Sequence, residues 1–286
     1  MATSTLLLVL LLPQCSAELS SQQVQIHRLP RDTLVPDVKV TASDGIVHMV
    51  YGTSEKDAFY QQSADSGITF STPLKLNTIG KVTTTMGERG PKIAVGGDGT
   101  IHVVWMDDWY PGALTYVRAV HSTDGGKSFS APVAASDSHG IDGSNVAVDS
   151  AGTVLVFWHD LSHNTTSGQQ VPKPVNSSEA TWLYFVQSTD GGKTFSSSQR
   201  VHIEGGMPAA ACSMCMTGTV ADPHGNSVSV IFRSALNNIR DHYELTASPP
   251  YSRNQWQANR VNMDNFYQTT CPMNGPTVTQ TGTDRV

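Results

Sequence analysis

The sequence predicts an all-β protein, a β-propeller, on three observations. An eight-residue segment recurs, as STDGGKSF at 122–129, STDGGKTF at 188–195 and, more loosely, SADSGITF at 63–70. Each copy follows the same order of patterns: a strand, a Gly turn, a second strand ending in an aromatic, and a third strand. The whole unit returns about every 50 residues, and four strands repeated at such a period mark a propeller blade, whereas a two-sheet sandwich leaves the period unexplained.

Composition agrees with this class. The chain has 286 residues, enough to bury a core, and only 15% of them are charged. Its net charge of −6 and the lack of a basic stripe argue against nucleic acid as a partner.

At the N-terminus, LLLVLLLP (6–13) is an apolar run too short to span a bilayer, and CSA (15–17) supplies a small-residue cleavage site before Glu18. Residues 1–17 are therefore expected to be a signal peptide, although no Lys or Arg precedes the run. A lipoprotein acylated at Cys15 and a buried N-terminal strand are the alternatives. No later segment could cross a membrane. The expected location is secreted or extracellular, periplasmic if the source is bacterial. Residues 18–34 form a lead-in and 35–286 the propeller.

Blades are expected at about 35–85, 88–140, 142–207 and 215–265. GPKIAVGGDGTIHVVW (90–105) and GSNVAVDSAGTVLVFW (143–158) are close copies of the first strand pair. VPDVKVTASDGIVHMVY (35–51) and TGTVADPHGNSVSVIF (217–232) are looser ones. LTYVRAVHS (114–122) and ATWLYFVQS (180–188) read as third strands, and APVAAS (131–136) as a fourth. In the fourth unit the repeated turn has decayed to TASPPYSRNQW, where Trp256 is the candidate for the aromatic role. CPMNGPTVTQTGTDRV (271–286) begins a fifth unit. A propeller closes by joining its last blade to its first, so the sequence reads as an incomplete propeller or as a short open array with exposed edges. A polar insertion at 160–180 lengthens the third unit and carries two sequons, at Asn164 and Asn176, which are surface glycosylation sites or chance matches.

The repeated octapeptide has turn chemistry. Asp124 is expected to accept hydrogen bonds from backbone N–H groups two residues on, and Gly125 or Gly126 to take positive φ. Ser122 and Ser128 can add side-chain bonds, and Phe129 anchors the turn on the domain. The same roles fall to Asp65, Gly67 and Phe70, and to Asp190, Gly192 and Phe195. Three equivalent aspartates in three equivalent turns read as scaffold, because one site needs only one copy of each catalytic group.

This octapeptide matches S-x-D-x-G-x-[ST]-[FW], the Asp box or BNR repeat. With three copies at blade spacing, the chain resembles the sialidase-like superfamily of six-bladed propellers over nearly its whole length. About four blades and the start of a fifth are present. The resemblance implies recognition of, or action on, terminal acidic sugars of glycans. The box also occurs in sorting receptors, assembly factors and other exo-glycosidases, so fold alone does not settle activity.

Residues just before the innermost strands ring one mouth of a propeller channel. Aligning the blades places Arg89, Asp142, Cys215 and Asn274 there, where side chains differ while the scaffold repeats. Arg89-Gly90-Pro91 matches the sialidase R-x-P, whose Arg grips a substrate carboxylate through two parallel N–H···O bonds; a structural Arg capping a strand is the alternative. The sialidase set also implies further arginines, an Asp acid and a Tyr nucleophile assisted by Glu. Arg233 and Arg240 are the candidate arginines. Asp107 and Asp108 are candidate acids or solvated turn residues. R-x-P lies in the first blade of sialidases but follows an Asp box here, and Tyr243 beside Glu244 is no substitute for the nucleophile pair, since adjacent strand residues face opposite ways.

The remaining constellation is sulfur. GGMPAAACSMCMTG (205–218) and TTCPMNG (269–275) bring Cys212, Cys215 and Cys271 to adjacent blades. A disulfide from Cys271 to Cys212 or Cys215, a soft metal such as Cu(I) with Met207, Met214, Met216 and Met273 nearby, and free buried thiols are the three readings. Met216 follows the C-x-x-C, which excludes c-type haem attachment. For function, two classes stand: an exo-glycosidase on acidic glycans with Arg89 on the carboxylate, and a non-catalytic propeller binding glycan or protein at the channel mouth.

Overall fold

The computed structural model describes residues 29, 31–41, 44–84, 89–108, 115–137, 141–160, 180–203, 210–212, 215–222, 225–281 and 284–285. The proposed signal peptide and both sequon asparagines lie outside these residues.

Four antiparallel meanders follow one another along the chain. The first contains β1 (Leu34–Val40), β2 (Val47–Gly52), β3 (Ala58–Ser63) and β4 (Leu74–Lys75), paired in chain order. The second contains β5 (Lys92–Val95), β6 (Ile101–Met106), β7 (Val117–Ser122) and β8 (Val133–Ala134). The third runs β9 (Ile141–Val148), β10 (Val154–Asp160), β11 (Ala180–Ser188) and β12 (Gln199–Arg200), with β13 (Ala210–Cys212) added along β11. The fourth is β14 (Gly218–Ala221), β15 (Val228–Arg233), β16 (His242–Ala247) and β17 (Gln257–Arg260). A hairpin of β18 (Gln280–Thr281) and β19 (Asp284–Arg285) ends the chain. The described residues form an all-β, four-bladed propeller arrangement with a beginning beyond the fourth blade, and their sole helical turn is a 3-10 turn at Leu236–Asn238.

The first strands of successive blades are neighbours: β1 lies beside β5, β5 beside β9 and β9 beside β14. Side chains stitch this inner ring. The Ile93 N–H donates to Asp37 Oδ2 at 2.9 Å, and the Thr219 hydroxyl donates to the Val146 carbonyl at 2.8 Å.

The second strands explain why these stretches read as continuous apolar runs. β6 and β10 are buried along their full lengths, because each sheet is covered on both faces. Alternate residues serve opposite interfaces. Ile101, Val103 and Trp105 join Val50, Tyr60 and Leu76 of the first blade, while Val104 and Met106 pack with Val146, Val156 and Trp158 of the third. Leu155 and Phe157 turn instead to Val228, Val230 and Phe232 of the fourth. Trp105, Trp158 and Phe232 thus each face the blade before their own. Trp256 lies in the last of these interfaces, fully buried, edge-on to Phe157 and Phe185 at centroid distances of 5.5 and 5.4 Å.

The three repeated turns share one hydrogen-bond scheme. In the second blade, Ser122 Oγ donates to Asp124 Oδ1 at 2.8 Å and accepts the Gly126 N–H at 2.9 Å. Asp124 Oδ1 accepts the N–H groups of Lys127 and Ser128, both at 3.0 Å, and Asp124 Oδ2 accepts the Ser128 hydroxyl at 2.6 Å. The acceptance falls three and four residues on, not two, because both glycines take positive φ (72° and 82°) and carry the chain round before its N–H groups point inward. Ser188, Asp190, Gly192 and Thr194 repeat the scheme, as do Ser63, Asp65, Gly67 and Thr69. In the first blade Ser66 adopts the left-handed conformation (φ 60°) that Gly125 holds in the second. Phe129 packs edge-on against Tyr60 of the preceding blade at 5.0 Å, Phe195 joins the interface of the second and third blades, and Phe70 is half-buried.

Candidate functional site

The segment before β5 delivers Arg89 to the inner ring. Gly90 allows this, since a Cβ there would lie 2.9 Å from the Val35 carbonyl oxygen. Asp142, the second residue of β9, meets Arg89 side-on: Nε donates to Oδ1 and Nη2 to Oδ2. Both side chains are largely buried, 12% and 5% exposed. A paired, hydrogen-bonded geometry of this kind is what allows two charges to leave water together. The crevice next to the pair is lined by Thr83, Arg89, Gly90, Met106, Ser144 and Met216.

His159 of β10 stands opposite Asp142 in the sheet register and is completely buried. Burial depresses its pKa to about 4, against the opposing pull of Asp142 and Cys271, so the ring is neutral. Its Nδ1 lies 3.3 Å from the Thr181 hydroxyl. Gly143 fits between this ring and Met216, where an added Cβ would sit 3.2 Å from both His159 Cδ2 and Met216 Sδ. Sequence reasoning missed His159, Ser144 and Met216 as neighbours of the mouth. A signal existed for one of them: the residue after each second-strand aromatic varies as Gly52, Met106, His159 and Arg233 while the strands around it repeat.

Asp107 and Asp108 lie at the end of β6, clamped to the last segment of the first blade. The Asp108 N–H donates to the Lys81 carbonyl at 2.8 Å and Thr83 Oγ1 donates to the Asp107 carbonyl at 2.8 Å. Their carboxylates are both ion-paired, Asp107 with Arg118 at 3.0 Å and Asp108 with Lys56 at 2.5 Å. Arg233 and Arg240 are buried and hold backbone. Arg233 donates to the carbonyls of Asn274 (3.1 Å) and Arg240 (2.6 Å), while Arg240 Nε donates to the Gln268 carbonyl at 2.8 Å. The Asn274 side chain belongs to an exposed residue. The structure thus joins Arg89 to Asp142 and Arg233 to Asn274, but keeps Asp107 and Asp108 in pairs of their own.

The three cysteines converge. Their sulfurs form a triangle with sides of 3.1 Å (Cys212–Cys271), 3.2 Å (Cys215–Cys212) and 3.4 Å (Cys215–Cys271). Cys212 and Cys215 are buried, Cys271 partly, and no pair of the three is bonded as a disulfide. Contacts with Cys215 and Cys271, reinforced by burial, push the Cys212 thiol far up. For Cys215 the contact with Cys212 works downward, but the Cys271 contact and burial outweigh it and leave the thiol at about 11. Such a group can hold a soft metal ion.

Fold and mouth together define a β-propeller with an ion-paired inner ring. No family model and no curated protein matches the chain. Among solved structures it is similar to the Hadza microbial sialidase Hz136, with a TM-score of 0.53 and 14% identity over 82% of this chain and 47% of that one. It therefore spans about half the length of that sialidase. It is also similar to CoXyl43, a GH43 β-xylosidase/α-arabinofuranosidase from a compost microbial metagenome, with a TM-score of 0.52 and 12% identity over 87% of this chain and 82% of that one. A protein of unknown function from Dyadobacter fermentans gives a TM-score of 0.51 at 15% identity, over 81% and 70% of the two chains. At these identities the likeness is one of fold. Among the described residues no helix is long and apolar enough to cross a membrane.

Proposed function

We propose that this chain is a secreted, glycan-recognising propeller that binds at the channel mouth beside Arg89 and Asp142 without hydrolysing its ligand there. One observation carries the choice of binding over turnover: each candidate carboxylate is committed to a cation, Asp142 to Arg89, Asp107 to Arg118 and Asp108 to Lys56. A glycosidase acid must carry a proton to the leaving oxygen and face a second catalytic group across the scissile bond. A carboxylate already bound to a guanidinium or ammonium would have to give up that partner before it could take either role. The propeller frame shared with a sialidase and a xylosidase supports a glycan as the ligand class. Buried Ser144 and Thr83, whose hydroxyl already donates to the Asp107 carbonyl, line the narrow crevice beside the Arg89–Asp142 pair. The resemblance to sialidases favours an acidic terminal sugar, whose carboxylate would have to displace Asp142 to take Arg89 as its charge partner.

The test is a glycan array with the whole chain, followed by incubation of the bound glycans and of a fluorogenic sialoside. Binding to acidic glycans without release of sugar is the expected result. Release that Asp107→Asn abolishes would overturn it in favour of the exo-glycosidase. Absence of binding to any glycan would remove the ligand class. A soft-metal role for Cys212, Cys215 and Cys271 rests on a separate observation, the convergence of their sulfurs, and is independent of the glycan reading.

A further inference from the structure

We propose that Cys212, Cys215 and Cys271 form a three-thiolate site for one Cu(I) ion, which fastens the strap 268–278 onto the third and fourth blades.

Four features of the surroundings point to a metal rather than to packing. The first is the triangle, whose three nearly equal sides (3.1–3.4 Å) single out no pair for a disulfide. At a metal–sulfur distance of ~2.3 Å the ion would stand roughly 1.3 Å above this plane, so the three sulfurs form one face of its coordination shell. The second is local backbone. Cys212 and Cys215 are a C-x-x-C in which the Cys215 N–H donates to the Cys212 carbonyl at 3.3 Å and the two sulfurs lie 3.2 Å apart. Cys271 arrives from the strap, so the ligands come from two separate segments.

The third feature is a donor aimed at a sulfur. The Met273 N–H donates to Cys271 Sγ at 3.3 Å. Backbone N–H groups on sulfur stabilise thiolate over thiol and orient metal ligands. The fourth is charge. Arg233 is 8% exposed and its guanidinium donates to two carbonyls, those of Asn274 and Arg240, with no carboxylate partner among the described residues. A buried cation calls for a nearby anion. Arg233 reaches the strap that carries Cys271 through the Asn274 carbonyl.

Ligand softness selects the ion. Among the described residues the set is all sulfur, the donor type that soft Cu(I) prefers and that three thiolates satisfy, whereas Zn(II) would need a water or a further side chain as its fourth ligand. Histidine supplies none in this cluster, since the neutral His159 ring lies outside the sulfur group. Binding balances as Cu(I) plus three thiols giving a tris-thiolate complex and three protons released to solvent; no electron is transferred.

The experiment is a titration of the reduced whole chain with Cu(I), under nitrogen and in competition with a chromogenic Cu(I) chelator. Mass spectrometry after alkylation of the unloaded chain counts free thiols. The expected result is one Cu(I) per chain, sulfur-only coordination by X-ray absorption, and alkylation of Cys212, Cys215 and Cys271 before loading but not after it. Cys271→Ser, chosen because Cys271 is the least buried of the three, should lower Cu(I) affinity by more than the ten- to hundredfold that an outer-shell partner carries. Its far-UV circular dichroism should match the parent, and a second variant, Cys215→Ser, should give the same loss. Failure to compete with the chelator would overturn the proposal. So would two of the three thiols resisting alkylation until a reductant is added, or Zn(II) held in preference to Cu(I). Each of these outcomes leaves the glycan array result untouched.

Discussion

Gly126 sits directly on the ring of Tyr60: a Cβ at this glycine would lie 2.3 Å from the Tyr60 hydroxyl oxygen. The turn of the second blade is thus seated on the third strand of the first. Gly192 repeats the relationship one blade on, where an added Cβ would fall 3.1 Å from His102 Nδ1. The octapeptide recurs because it is an inter-blade contact as well as a turn, and the contact surface is the glycine's bare backbone.

Gly126→Ala should therefore destabilise the protein more than Gly125→Ala. Both glycines have positive φ, but the space beside Gly125 is open. Strain of the left-handed conformation costs about 1 kcal/mol at either position, and overpacking against Tyr60 adds about 1–3 kcal/mol at Gly126 alone. Urea unfolding of the two variants gives the comparison; equal midpoints would show that the Tyr60 contact is soft.

Trp256→Ala should cost about 3–5 kcal/mol, because it empties the interface of the third and fourth blades between Phe157, Phe185 and Tyr251. Phe266→Ala, at a residue 45% exposed, should stay within about 0.5 kcal/mol of the parent. Thermal denaturation followed by tryptophan fluorescence or circular dichroism separates the two.

Arg89→Ala should cost about 3–5 kcal/mol by leaving Asp142 buried without its cation. Replacing both residues, as Arg89→Met with Asp142→Leu, should recover a large part of that loss. The double-mutant cycle in denaturant measures the coupling; additive losses would mean that the pair contributes nothing as a pair.

Stability should fall as the pH drops below about 6.5. His102 and His159 are buried and neutral in the fold, each with its pKa depressed to about 4, chiefly by desolvation. The unfolded chain takes up their protons near pH 6.5, while the folded chain does not until about pH 4, so the fold loses ground through that window. The full effect is roughly 3 kcal/mol for each ring. Asp65 acts in the same direction but at lower pH. Its carboxylate, held by Ser63 and Thr69, titrates at about 2 in the fold, so its contribution persists through the histidine window and is lost as the pH falls from about 4 towards 2. Denaturant midpoints between pH 7 and pH 4 test the sign, and a His102→Asn variant should flatten the dependence.

Strand order and blade period were legible in the sequence. They depend on local patterning: β-branched and aromatic runs, Gly turns and a repeated octapeptide. ATWLYFVQS is β11 residue for residue, and the decayed turn of the fourth unit still puts Trp256 into an interface. The mouth was less legible. Position in the repeat pointed to Arg89 and Asp142 as neighbours, but not to their being each other's partner, and His159 went unseen.

The sequence by itself determined that this is a repeated four-strand unit pinned by a Ser–Asp–Gly turn, because each such turn closes its hydrogen bonds within seven residues or so. Only the tertiary structure decided who meets whom at the centre. Arg89 finds Asp142 from another blade, and Cys271 crosses from the strap to the C-x-x-C at 212–215. Those distances depend on how successive sheets rotate about a common axis, and that rotation is set by the packing of whole interfaces rather than by any segment's own pattern.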